Sequence, residues 1–141
     1  MSNLRSRPAA RDRALQFLFG LEFTKYPWEG EVDDFFTVNP AKPSVRHYAE
    51  ALIRGVCEHQ DTLDESISAA LEHWSLDRIG CIERTVLRIA LYEMRHREDV
   101  PPPVAINEAV DLAKRFGSEE APRFVNGVLD RLRKQLENGK E

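Results

Sequence analysis

Four arginines, Arg5, Arg7, Arg11 and Arg13, fall within the first 13 residues of a 141-residue chain whose net charge is −4. Only Asp12 opposes them in that stretch. A guanidinium presents its donors as a planar fork that fits phosphate, and it also stacks on exposed bases. Arg7 and Arg11 are four apart, so a helix beginning there would set both on one face. A basic arm on an acidic body can hold nucleic acid, or it can be a solvated tail, and both readings stand at this point. Arginines of this kind supply salt-dependent affinity rather than sequence choice. Cations and rings interleave a second time at Lys114, Arg115, Phe116, Gly117, Arg123 and Phe124. Rings beside cations are the platform on which single-stranded RNA stacks. Phe116 also lies on an apolar helical stripe that would pin it into a core. Phe124 fits either role.

Other chemistry finds little support. There is no Gly-rich phosphate loop, no pair of histidines at zinc spacing and no Gly-x-Ser-x-Gly elbow. His47, His59, His73 and His96 never meet at a four-residue step. Glu83, Glu93 and Glu108 sit among basic residues and read as helix-surface ion pairs and caps. Cys57 and Cys81, 24 apart, read as buried thiols of a reducing compartment, with neither a disulfide nor a metal between them. No segment approaches the roughly 18 apolar residues of a membrane span, and no apolar run follows the basic start. A cytoplasmic, non-enzymatic protein with neither metal nor cofactor is expected.

The elements that must position these residues are helices. Pro8 suits the first turn of a helix, where a missing N–H costs nothing. Ala10, Ala14, Phe17, Leu18 and Leu21 form one stripe behind it, and Leu15, Phe19 and Phe23 a second, until Pro27. Val32, Phe35 and Phe36 mark a short helix. Ser44 reads as a cap for Val45 to Val56, and Asp61 as a cap for a further helix through Leu63, Ile67, Leu71 and Trp74. Leu76 to Arg97 is the most apolar stretch and reads as a central helix, stopped by the prolines at 101–103. Gly117 would end the next helix, and Ser118 would cap the last. Within that last helix, Val125, Val128 and Leu132 keep their spacing straight through Asn126-Gly127. The dipeptide is therefore expected to be helical, with Gly127 admitting a neighbouring helix. The chain reads as one all-α domain over 1–141, with about seven helices in two packed bundles, 1–74 and 75–141, and a basic arm at 1–13.

Three blocks carry a family resemblance. They are Glu83-Arg84-Thr85-Val86-Leu87-Arg88-Ile89-Ala90-Leu91-Tyr92-Glu93, then Val104-Ala105-Ile106-Asn107-Glu108-Ala109-Val110-Asp111-Leu112-Ala113-Lys114-Arg115-Phe116-Gly117, then Phe124-Val125-Asn126-Gly127-Val128-Leu129-Asp130. In this order and spacing they resemble the bacterial transcription antitermination factor NusB family. The arginines leading into Ala14-Leu15-Gln16-Phe17-Leu18-Phe19 agree, whereas residues 25–75 match only in helical pattern.

The resemblance implies two small helical bundles and no catalytic residue or cofactor. It implies binding of boxA-type single-stranded RNA on nascent, chiefly ribosomal, transcripts. The RNA is bound together with NusE, a small-subunit ribosomal protein, and the pair joins other Nus factors on RNA polymerase. Arg5, Arg7 and Arg11 then fall in the RNA-binding arginine arm, and Phe19 in a position that is usually Tyr. Glu120, Arg123 and Phe124 match an RNA-facing corner, and Glu83 a NusE-facing acidic position. Pro8 and Ala9 stand where some members carry more arginines, which weakens the arm. Phe19 lacks the phenolic hydroxyl and keeps only stacking. Replacing Arg7 and Arg11 together by Ala is expected to weaken RNA binding with little loss of stability. The same fold serves as the RNA-binding domain of a ribosomal RNA cytosine methyltransferase, but no methyl-donor site follows before Glu141. A purely protein-binding helical adaptor is the remaining alternative.

Overall fold

The structure is a computed structural model that describes residues 4–139. Residues 1–3 of the basic arm, with Lys140 and Glu141, lie outside the described residues. Among those described there are six α-helices and no strand: α1 (Arg7–Leu21), α2 (Val32–Val38), α3 (Pro43–Ala70), α4 (Cys81–His96), α5 (Pro102–Phe116) and α6 (Ala121–Asn138). Short 3-10 turns lie at Leu4–Ser6, Trp28–Gly30 and Leu76–Arg78.

The all-α reading holds, with six helices in place of seven. Asp61 caps nothing, because α3 runs through it unbroken. Buried Leu52, Val56, Leu63, Ile67 and Ala70 keep one apolar stripe along α3, so nothing ends the backbone ladder. Ser44 is not a cap either. The helix opens at Pro43, the Arg46 N–H donates to the Lys42 carbonyl at 2.9 Å, and the Ser44 hydroxyl pairs with that of Ser6 at 2.7 Å. Ser118 stands three residues before α6, and its carbonyl accepts from the Ala121 N–H. The expected start of the central helix at Leu76 is a 3-10 turn, and α4 begins at Cys81. α1 ends at Leu21, well before Pro27, and the next three residues continue as tight turns.

Two glycines repay attention. Gly117 ends α5 as expected, at an ordinary φ of −98°, so handedness does not require it. Space does: a Cβ there would stand 2.7 Å from the Ala121 Cβ and 2.9 Å from the Ala113 carbonyl oxygen. Gly127 lies inside α6, as the stripe predicts. It admits no neighbour, however, since a Cβ there would meet nothing within 4 Å.

The chain divides into two compact units, Met1–Glu58 and His59–Glu141. The division falls inside α3, three residues after Gly55. In the first unit α1 buries Ala10, Ala14, Leu15, Phe17 and Leu18. The start of α3 adds Val45, Tyr48, Leu52 and Ile53, and α2 adds Val32 and Phe36. Phe17 meets Phe35 edge-to-face at 5.4 Å.

In the second unit α4 is the hub, packed against α5 and α6 and buried at every position from Thr85 to Leu91. Such a helix must also bury its polar residues. Arg88 does so against Asp64, with Nε and Nη2 bonded to the two carboxylate oxygens at 2.7 and 2.9 Å. This two-pronged pairing keeps the buried guanidinium satisfied. Glu93 is buried as well, which corrects its reading as a surface carboxylate. Cys57 and Cys81 form no disulfide and are only half-buried, which corrects their reading as buried thiols. Among the described residues no helix is long and apolar enough to cross a membrane.

Candidate nucleic-acid interface

The arginines at the N-terminus separate into two kinds. Arg7 and Arg11 occupy the first turns of α1 and are 4% and 3% exposed. Their guanidinium carbons lie 4.4 and 5.8 Å from the centroid of the Tyr48 ring on α3. A guanidinium is weakly hydrated for a cation and stacks on aromatic faces, which is how this charge enters a protein interior. Arg7 and Arg11 are therefore not part of a solvated tail. Arg5 sits in a 3-10 turn that feeds directly into α1, and Arg7 and Arg11 hold that start onto α3.

Arg5 itself is exposed, and with Arg13 and Lys42 it lines one surface recess. Arg13 is tied there by a bond from Nη2 to the Pro40 carbonyl at 3.1 Å. Three cations around one recess suit an anionic backbone. Phe19 lies further along α1, about one-third exposed, and meets the more exposed Phe23 edge-to-face at 5.3 Å.

The second unit gathers Glu83, Glu120, Arg123 and Phe124 around one open groove of about 370 Å³. The gathering follows from the chain's punctuation. Gly80 precedes α4 and Glu120 precedes α6, so two helix starts face one groove. Glu83 lies in the first turn of α4 with its carboxylate folded back against Gly80, where a Cβ would overlap it. The same carboxylate is 3.3 Å from the point a Gly117 Cβ would occupy. An acidic side chain folded over the start of its own helix complements the positive end of that helix. Lys114, Arg115 and Phe116 do not line the groove.

Trp74 and Arg78 do line it, and sequence reasoning missed both. Trp74 was expected as the last apolar residue of a helical stripe, yet it lies beyond the end of α3 and is 59% exposed. No local signal marks this, since Ile67, Leu71 and Trp74 keep the 3-4 spacing past the point where α3 ends. Tyr48 and Lys42 carried no signal of their own, and Arg13 was legible only as one of the four N-terminal arginines. Each acquires its role from a neighbour distant in sequence.

Among the described residues no group of three His, Cys, Asp or Glu could hold a metal ion. A cluster of titratable rings stacks on the second unit. His59 lies over His96 at 4.1 Å, and Tyr92 lies over His96 at 5.2 Å. Burial, then the neighbouring His59 and Arg95, holds His96 below the usual imidazole range.

Known proteins agree with this architecture. A family model described as the NusB family matches residues 8–134. A transcription antitermination protein NusB of Bacillus subtilis (strain 168) is 43% identical over 131 residues, covering 93% of this chain and 97% of its own length. The structure of NusB from T. maritima is similar with a TM-score of 0.83 at 36% identity, over 95% of this chain and 93% of that one. A structure of the antitermination factors NusB and NusE in complex with dsRNA is similar with a TM-score of 0.84 at 28% identity, over 94% and 99%. With a family model running along most of its length and relatives matched over more than nine-tenths of both chains, the chain belongs to the NusB family.

Proposed function

We propose that this chain is a transcription antitermination factor that acts by assembly rather than catalysis. It binds boxA-type single-stranded RNA of nascent, chiefly ribosomal, transcripts together with NusE, and through that pair it meets other Nus factors and RNA polymerase in the cytoplasm. The observation that carries this reading is the NusB family match over residues 8–134. The groove supports it, since Glu120, Arg123 and Phe124, expected to face RNA, come together there. In the first unit the RNA contacts are Arg5 and Phe19, joined by Arg13 and Lys42. Arg7 and Arg11 serve the site by fixing the start of α1. Glu83 shapes the edge that meets NusE.

Anisotropy of a labelled boxA oligonucleotide tests the proposal, with scrambled and duplex forms as comparisons, because the NusB–NusE relative was captured with dsRNA. Saturating NusE is expected to raise affinity for single-stranded boxA by about 5- to 150-fold. By linkage, RNA must tighten the protein pair by the same factor. Equal affinity for boxA and scrambled RNA in the presence of NusE would overturn the proposal. Glu83→Lys is expected to weaken the NusE step first and RNA binding only through it.

A further inference from the structure

The groove of the second unit holds more than its three expected residues explain. Trp74 contributes a large ring that is 59% exposed, on the short link between α3 and the 3-10 turn at Leu76–Arg78. An exposed indole costs solubility and contributes little to a core, so its place calls for a ligand-side account. Phe124 lies on the same groove, half-buried. Two exposed guanidinium side chains, Arg78 and Arg123, complete the rim. Glu120, exposed on the same groove, offers a carboxylate acceptor, whereas that of Glu83 is folded back against Gly80.

We propose that this groove is a subsite for one unpaired nucleobase of single-stranded RNA, stacked on Trp74, with Arg78 and Arg123 on the flanking phosphates. The inference rests on the RNA-binding reading above and adds Trp74 and Arg78 to it. The match is chemical at each point. Base–aromatic stacking tolerates any base because every base has a π-face. The planar forks of two arginines suit phosphate oxygens. A carboxylate accepts two parallel bonds from the adjacent N1–H and N2–H of guanine, whereas the single N3–H of uracil is flanked by carbonyls that repel its second oxygen, so Glu120 gives the subsite a preference for guanine over uracil. A base held in a duplex cannot enter, since its faces are covered by its neighbours. The groove thus separates single strands from duplexes, which Arg5, Arg13 and Lys42 on the first unit, reading phosphate alone, cannot do.

The chain has two tryptophans, Trp28 and Trp74, so Trp28→Phe leaves Trp74 as the sole indole reporter. Titration of this variant, with NusE present, by single-stranded boxA RNA is expected to quench Trp74 emission in step with the anisotropy of the labelled RNA. Trp74→Ala is expected to weaken RNA binding about ten-fold or more, and Trp74→Phe to restore most of it. Arg78→Gln is expected to lower the slope of log affinity against log salt by ~0.7. Trp74 is exposed, so circular dichroism and the thermal midpoint should match those of the unaltered chain and exclude misfolding. Unchanged emission at saturating RNA, or unchanged affinity for Trp74→Ala, overturns the subsite while leaving the RNA-binding function intact. If Trp74→Ala instead weakens NusE binding with no RNA present, the groove is a protein-docking surface and the subsite is overturned. Absence of RNA binding by the unaltered chain with NusE overturns both readings.

Discussion

The two units use arginine in opposite ways. In the first, Arg7 and Arg11 are buried on Tyr48 and bind one helix start to another. In the second, Arg78 and Arg123 stand exposed on the rim of a groove that holds an open indole. The N-terminal arginines form the denser cluster in the sequence, and a charge count would make them the binding site. The structure assigns two of those four charges to the interior. Arginine density alone therefore does not locate an interface; what faces each guanidinium does.

The largest test of this contrast takes the most committed buried arginine. Asp64→Ala leaves Arg88 with a charge inside the second unit and no carboxylate fork. Urea unfolding is expected to show a loss of about 3 kcal/mol, since removing one partner of a buried pair costs more than the pair itself contributes. A loss below half of that would mean that water reaches Arg88 and that its burial is superficial.

Next comes the pair on Tyr48. Replacing Arg7 and Arg11 together by Ala is expected to lower stability by about 2 kcal/mol, through lost cation–π contact and lost packing of the side-chain stems. Arg5→Ala should leave the unfolding midpoint unchanged while reducing the salt slope of RNA binding by ~0.7. If the double variant kept its midpoint and lost only RNA affinity, the two arginines would be phosphate contacts and the contrast between the units would collapse.

A smaller effect separates crowded from open backbone within the second unit. Gly127→Ala is expected to stabilise the chain by about 1 kcal/mol, because α6 is helical there and a Cβ meets nothing within 4 Å. The same change at Gly117 should act in the opposite direction, against Ala121 and the Ala113 carbonyl. Thermal melts of both variants check the signs.

The smallest effect is a pH dependence confined to the second unit. His96 is held below its usual range, so at a given acidity the unfolded chain binds that proton more readily. Its contribution is therefore complete above about pH 6.5, the ordinary imidazole value, and is lost as pH falls below that. His96→Gln, which relieves the crowding with His59 and Arg95, is expected to flatten the fall in melting temperature between pH 7 and 5. A fall of equal steepness in both proteins would assign it to other groups.

What the sequence determined by itself is the part that depends on neighbours along the chain. Apolar residues at three- and four-residue steps specify helices, prolines at 101–103 stop one and start another, and the spacing of Val125, Val128 and Leu132 carries α6 through Asn126-Gly127. The three family blocks follow the same logic, and so does the corner that brings Glu120, Arg123 and Phe124 to one groove. Caps were less legible. Ser44, Asp61 and Ser118 have the right side chains, but a cap acts only where N–H groups lack a carbonyl, and at Asp61 the continuous α3 ladder leaves none. Only the tertiary structure decided which charges face water. Tyr48 lies 41 and 37 residues from the arginines it covers, and Trp74 shares a groove with Phe124 across 50. Burial and stacking are properties of side chains that meet in space, and no local pattern encodes a meeting across that distance.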